Sequence, residues 1–360
     1  MSTSTKFDLS TESGVTAYLS GTPFACTGVQ ELSGGNANYS FRLKLCEPYK
    51  DRETAVLKHA KPFVKSMKEM TFGVERQIYE VAALRQVRSW LPNDSVVTVP
   101  EVYHFDEDEH AIIMEDAGIN SMTLKAFMKE GKATPALATN IGRGLGAFLG
   151  GLHTWGKGNI MACKSVEGNQ HAKDISAWYF FGRITETLRG AEDVPKLSDP
   201  PLDIRESDFQ VLDKIQEDTR IAMLAAQDSF VQGDFWPGNI MIALDQTGNL
   251  KNAYVLDWEA AKAGLPGIDA GQFSAEVHLL RRFYSDACGE TATILFDSFV
   301  QEYKRVGSPS SEDMRLANIQ VGAHLIVLAA RVPWGEKELT REVVREGVTM
   351  VVSGSGILNT

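Results

Sequence analysis

The hydrophobic period of the chain turns from mainly strand-like to mainly helical near residue 116, and that change bounds what it can fold into. Upstream, Tyr39, Phe41, Leu43 and Leu45 alternate with Ser40, Arg42 and Lys44, the period-two signature of a strand with one buried face. Further strand patterns lie at 54–59, 101–106 and 110–114, the last two flanking the acidic turn Asp106-Glu107-Asp108-Glu109 as a hairpin. One helical pattern interrupts them at about 72–90, with Ile78, Val81, Ala82 and Arg85 at i, i+3, i+4 and i+7. After Met114-Glu115-Asp116-Ala117-Gly118 the period becomes helical. Thr134 as N-cap and Pro135 at the first helical position open a helix whose apolar face is Leu137, Ile141, Leu145, Phe148, Leu149 and Leu152. Helical periodicity returns at 203–226, 270–306, 313–330 and 336–352, while 161–203 and 307–313 read as surface loops. The class implied is α+β, with an N-terminal antiparallel sheet plus helix at 1–115 and a mostly helical C-terminal lobe at 116–360.

Size and charge narrow the functions available. At 360 residues and 43% apolar content the chain exceeds a single core and has ample surface to bury in two. A net charge of −11, with acids interspersed among Lys and Arg, argues against a nucleic-acid footprint. Cysteines at 26, 46, 163 and 288 have neither zinc-ligand nor redox-pair spacing, and no apolar stretch follows Met1. With no apolar run near the ~20 residues a bilayer span needs, the expectation is a cytoplasmic protein with no membrane partner. Oligomeric state leaves no trace in the sequence.

The sharpest chemical signal is the segment 231–241, Val-Gln-Gly-Asp-Phe-Trp-Pro-Gly-Asn-Ile-Met, followed at 255–259 by Val-Leu-Asp-Trp-Glu. A loop carrying Asp234 and Asn239 leads into an apolar strand, a turn at 245–249 and a second strand that delivers Asp257. Phosphoryl transfer from ATP to a hydroxyl needs a carboxylate to orient the nucleophile and accept its proton, plus hard oxygen ligands for Mg²⁺. Asp234 suits the first task, and Asn239 and Asp257 the second. Taken singly, each piece is equally an ordinary turn; the order of the pieces carries the reading.

Upstream residues could complete a nucleotide site. Ser33-Gly34-Gly35-Asn36-Ala37-Asn38 forms a hairpin tip whose residues tolerate positive φ and leave N–H groups to close over phosphates, or a simple β-turn. Val56 and Lys58 share a strand face, so Lys58 stands on an apolar floor. The helix at about 72–90 could present Glu75 or Glu80 to that lysine. Five residues apart, the two point about 140° apart and cannot both face it; Glu80 is preferred. The backbone at 115–117 could hydrogen-bond an adenine.

With these residues in order, the chain resembles the aminoglycoside phosphotransferase and choline kinase superfamily, small-molecule kinases with the two-lobed protein-kinase-like fold. Gln232-Gly233-Asp234 through Asn239 looks like its His-Gly-Asp-x-x-x-x-Asn element, and Asp257-Trp258-Glu259 like its Asp-Trp-Glu metal element. Leu32-Ser33-Gly34-Gly35, Leu57-Lys58-His59-Ala60, Gly73-Val74-Glu75-Arg76, Ile113-Met114-Glu115-Asp116 and Trp334-Gly335 look similar to the fungal 4-hydroxytryptamine kinase branch and, more distantly, to methylthioribose kinases. The resemblance implies Asp234 as catalytic base, Asn239 and Asp257 as Mg²⁺ ligands, Lys58 on the α and β phosphates with Glu80 beside it, and Glu115 to Ala117 on the adenine. One position departs: Gln232 replaces the usual histidine, at a position that supports the loop.

The expected function is therefore ATP-dependent transfer to a hydroxyl of a small metabolite, which could be a hydroxyl-bearing amine. The alternative is a catalytically silent nucleotide-binding module of the same fold. A protein kinase would need His-Arg-Asp and Asp-Phe-Gly motifs, which are missing. Trp258, Glu259, Glu276, His278, Arg282 and Trp334 are candidate acceptor-pocket groups, an aromatic wall beside an acid. His153 reads as a core or capping histidine, and Asp269 as the N-cap of a helix beginning near Ala270.

Overall fold

The computed structural model describes residues 7–360 apart from Gly34, Asn36, Glu192, Asp228 and Thr360. The chain forms two compact units, one of residues 1–93 and 98–121, the other of 94–97 and 122–360.

The first unit is built on a five-stranded antiparallel sheet with strand order Cys26–Glu31, Tyr39–Tyr49, Arg52–His59, Ala111–Glu115, Val102–Asp106. Alternation sets its two faces. Phe41, Leu43, Ala55, Leu57, Ala111 and Ile113 point to one core, closed by Val15 and Leu19 of the helix Glu12–Leu19. Val56, Ile112 and Met114 point to the other, closed by Val81 of the helix Arg76–Trp90. The sequence pattern does not reveal the first of these helices, because eight residues with two buried positions are too short to show a period.

The second helix sits differently from its sequence pattern. It begins at Arg76, and its buried face is Arg76, Gln77, Glu80, Val81, Ala83, Leu84 and Val87, whereas Ile78 and Arg85 face water. Polar side chains displace the apolar ones because each has a built partner. The Arg76 guanidinium donates to the carbonyls of Phe72 and Gly73 at 2.7 Å and to Asn38 Oδ1 at 2.8 Å. Gln77 Nε2 donates to the Lys58 carbonyl at 3.1 Å, tying helix to strand.

The second unit is mostly helical, as its period requires. Thr134 caps the helix Pro135–Gly156, accepting from the Leu137 N–H at 3.2 Å. That helix packs so closely on Ser285–Gly307 that a Cβ on Gly142 or Gly146 would lie 2.4 or 2.3 Å from the Leu295 or Phe299 carbonyl oxygen. The stretch 270–306 is two helices, Pro266–Phe283 and Ser285–Gly307, broken at Tyr284. Residues 161–203 are not a surface loop: they hold the helices Gln170–Phe181 and Ile184–Leu188. Phe180, Phe181, Ile184 and Leu188 enter one core with Ile326 and Val344. Those apolar residues are spread over short helices, so no single window shows the periodicity.

Candidate active site

In the first unit, antiparallel pairing sets Lys58 opposite Ser40 on one side and Ile112 on the other, so its side chain rises from the middle of the sheet. Its Nζ lies 2.7 Å from Glu80 Oε1, both groups buried. Glu75 precedes the helix and is exposed, which settles which acid meets the lysine. Val56 lies on the same strand face as Lys58 and packs with Val81 and Met114. Glu115 ends its strand buried and paired with Arg52, while Asp116 takes a bidentate grip from Arg42 at 2.6 and 3.1 Å. These pairs fix the backbone through Ala117. Of the hairpin-tip residues, Gly34 and Asn36 lie outside the described residues. Gly35 is exposed, and the Asn38 side chain is engaged by Arg76.

In the second unit, a short strand Phe230–Val231 pairs with Lys262–Ala263, and the chain then turns sharply at Gly233, where φ is +86°. A Cβ there would sit 2.2 Å from the Ala260 carbonyl oxygen, so only glycine fits. Asp234 follows. Pro237–Asn239 forms a 3₁₀ turn that leads into the hairpin Ile240–Leu244 and Leu250–Val255, as the sequence implies. Asp245 and Gly248, with φ +83°, make the turn of that hairpin. Asp257 ends the hairpin in the left-handed region, φ +59° and ψ +67°. Aspartate is among the few residues besides glycine that enter that region readily, so the backbone there suits the acid.

Asp234 is ringed by donors. Gln272 Nε2 donates to Oδ1 at 2.6 Å, while Asn239 Nδ2 and Trp236 Nε1 donate to Oδ2 at 2.8 and 3.3 Å. Each favours the carboxylate. Burial and the negative charge of Asp257 oppose them and win, pushing the Asp234 carboxyl up to about 6. Such a group is ionised at neutral pH yet basic enough to accept a proton.

The loop is held from behind. Asp269, fully buried, accepts from the Gln232 N–H at 2.8 Å and the Gly233 N–H at 2.9 Å. It is not an N-cap: the helix starts at Pro266 after Leu265, and Asp269 stands within the first turn facing the loop. His153 Nε2 lies 3.4 Å from its carboxylate, with Nδ1 3.0 Å from the Tyr303 hydroxyl. His153 is thus core, as its helix suggests, and the fold brings it to the loop's rear. Gln232 explains the missing histidine. Its Oε1 accepts from the Asp234 N–H at 2.6 Å, and its Nε2 donates to the Asp257 and Leu256 carbonyls at 2.8 and 3.2 Å. One amide side chain therefore ties the loop to the strand end that carries Asp257. Lys262 completes the shell, donating to the Ala260 carbonyl at 3.0 Å, its ammonium driven down to about 8 by burial despite Asp269 and Asp234.

The acceptor-pocket candidates divide. Trp258 is fully buried, stacked on Phe230 and donating to the Val255 carbonyl at 2.9 Å, so it is core. Glu259 is buried, and its carbonyl accepts from Asn169. His278 and Arg282 both pair with Glu346, at 2.8 and 3.0 Å. Glu276 and Trp334 do meet, through Lys125: its Nζ lies 2.9 Å from Glu276 Oε2 and 4.0 Å from the Trp334 ring centroid. Gln272, Trp236 and Lys125 escape the sequence reading. The spacing Asp269, Gln272, Glu276 at i, i+3 and i+7 is the signal that could find the first, since it puts all three on one helix face.

Among the described residues no helix is long and apolar enough to cross a membrane. A model of the phosphotransferase enzyme family, APH, matches residues 28–306. The 4-hydroxytryptamine kinase of Psilocybe cubensis is 30% identical over 354 residues, 95% of this chain and 92% of that one. The methylthioribose kinase of Exiguobacterium sibiricum is 27% identical over 273 residues, 71% and 62% of the two chains. Among solved structures, a choline/ethanolamine kinase family protein from Mesorhizobium loti aligns with a TM-score of 0.49 at 14% identity, covering 95% and 98%. The chain belongs to the phosphotransferase enzyme family and is an ATP-dependent small-molecule kinase whose acceptor bears a hydroxyl.

Proposed function

We propose that Asp234 is the catalytic base for this transfer. The acceptor hydroxyl gives its proton to the Asp234 carboxylate as its oxygen bonds to the γ-phosphorus of ATP, and the bond from that phosphorus to the ADP oxygen breaks. The observation that carries the assignment is the surroundings of Asp234. Three neutral donors orient its two oxygens, and burial beside Asp257 leaves it basic enough for the task.

Asn239 and Asp257 are the groups proposed to hold Mg²⁺. They offer hard oxygens, and the repulsion between Asp257 and Asp234 is what a bound cation would relieve. Once bound, the ion would neutralise charge on the phosphates. Lys58, fixed by Glu80, is assigned to the α and β phosphates. Val56 is the floor under the base, the backbone of Glu115 to Ala117 its hydrogen-bonding edge, and the tip of Gly34, Gly35, Asn36 and Asn38 the cover over the phosphates. The relatives are named for 4-hydroxytryptamine and methylthioribose, two small hydroxyl-bearing molecules; an acceptor of that size is the coarse expectation here, in a cytoplasmic setting.

The test is ADP release from purified protein over a panel of hydroxyl compounds, with and without Mg²⁺. Turnover by the wild type, lost on adding chelator and lost in Asp234→Asn, is the expected result. Nucleotide binding without turnover on any acceptor would favour the silent module, and full turnover by the variant would remove Asp234 from its role.

A further inference from the structure

Gln272 and Glu276 stand four residues apart on one buried helix face, the first touching Asp234 and the second touching Lys125. Trp236 makes the same link from the loop. Its Nε1 donates to Asp234 Oδ2, and its ring centroid lies 4.9 Å from Lys125 Nζ. The ammonium and the proposed base therefore share one indole. Two indoles and a carboxylate form the kind of box that receives an ammonium group from a ligand. Here the chain's own lysine fills it. The other Glu276 oxygen is already taken, 3.0 Å from His324 Nε2, so the acid has little left to offer a second cation.

A second observation points to a ligand at this place. Trp334 Nε1 and Gln272 Oε1 are buried and have no hydrogen-bond partner, although both residues line the surroundings of Lys125 or Asp234. Buried polar atoms in native structures are almost always satisfied, so an orphaned donor on the ring that holds Lys125 and an orphaned acceptor on the side chain that holds Asp234 call for a bound molecule. The Trp334 N–H and the Lys125 ammonium are both donors. What completes the Trp334 N–H is an oxygen that Lys125 can also reach, and what completes Gln272 Oε1 is a donor such as the reacting hydroxyl.

Resting on the kinase reading above, we infer that Lys125 selects the acceptor by charge: it occupies the cation box, so the acceptor carries no positive charge beside the reacting hydroxyl and presents a neutral or anionic oxygen to Lys125 and Trp334. A cationic acceptor would meet like charge at short range or have to displace the lysine from Glu276 and two rings. Loss of the lysine empties the box and reverses the preference.

The experiment uses three hydroxyphenyl compounds whose side chain ends in a carboxylate, a carboxamide or an ammonium. Binding is read from tryptophan fluorescence, and turnover from ADP release with ATP. Wild type should bind the carboxylate and carboxamide at least about tenfold more tightly than the ammonium compound. Lys125→Met should invert that order with the KM for ATP unchanged, and Lys125→Arg should restore it; a lysine that only packs would weaken all three alike. The inference is overturned if the ammonium compound binds wild type most tightly, if Lys125→Met keeps the original order, or if no member of the set binds. Binding in the expected order without ADP release would sink the kinase reading alone.

Discussion

Lys58 and Asp234 are buried charges of opposite sign, one in each unit, and they are held by opposite means. Lys58 is matched by a full counter-charge, Glu80 at 2.7 Å, supplied by a helix clamped to its strand through Gln77. The hydrogen bonds that Asp234 accepts come from neutral donors, Gln272, Asn239 and Trp236, and Asp257 opposes its charge while the buried Lys262 ammonium attracts it from behind the loop. The first arrangement sets an ammonium against a full counter-charge at 2.7 Å. The second makes a charge that comes and goes near neutral pH, as a proton acceptor must. A fixed electrostatic anchor and a titrating base thus need different surroundings.

The comparison breaks first at Asp234. Asp234→Asn should lower kcat by roughly 10²–10⁴-fold, the usual worth of a general base, with the KM for ATP little changed; ADP-release kinetics measures both. Glu80→Gln attacks the other side. Removing one partner of a buried pair should cost roughly 3 kcal/mol of stability, read as a lower urea midpoint, together with a raised KM for ATP. If Glu80→Gln instead left stability intact, Lys58 would not be the fixed charge described. Gly233→Ala forces a Cβ into the Ala260 carbonyl at a positive φ, and should destabilise by about 2 kcal/mol and misplace the base.

The smallest effects are the sharpest. Because Asp234 must be ionised, log kcat/KM should fall by about one per pH unit below about 6. Gln272→Leu removes a donor that favours the carboxylate and should move that limb upward, on the order of one unit. Stability carries the same sign. The folded carboxyl is pushed above its ordinary 3.8, so its contribution is full below that value and is lost as pH rises through about 6. Urea denaturation of Asp234→Asn between pH 4 and 7 should lack that decline.

Much of this was legible from residue order. The period change gave the sheet and the helices, and the polar punctuation of 231–241 and 255–259 gave the loop and hairpin, because both are local. Gln272 and Lys125 were illegible because their partners lie 38 and 151 residues away, and nothing local distinguishes a glutamine on a buried helix from any other. Asp269 was visible but misread: its position near a helix start suggested a cap, whereas its carboxylate serves two N–H groups 36 and 37 residues upstream. Trp258 and the region 161–203 failed for a related reason, since whether an aromatic residue is wall or core is decided by what packs against it.

The stripe of Asp269, Gln272 and Glu276 behaves as a ruler. At 1.5 Å per residue it spaces the loop's anchor, the base's partner and the lysine's acid along about 10 Å of one helix edge. Its divisions cannot be changed independently. A single inserted residue between Asp269 and Glu276 would swing everything beyond it by about 100°, detaching Glu276 from Lys125 while leaving the loop's anchor in place. The same insertion at the tip of the 240–255 hairpin would only lengthen an exposed turn. Side chains along the ruler can be exchanged one at a time, whereas a change in its length uncouples Lys125 from the loop.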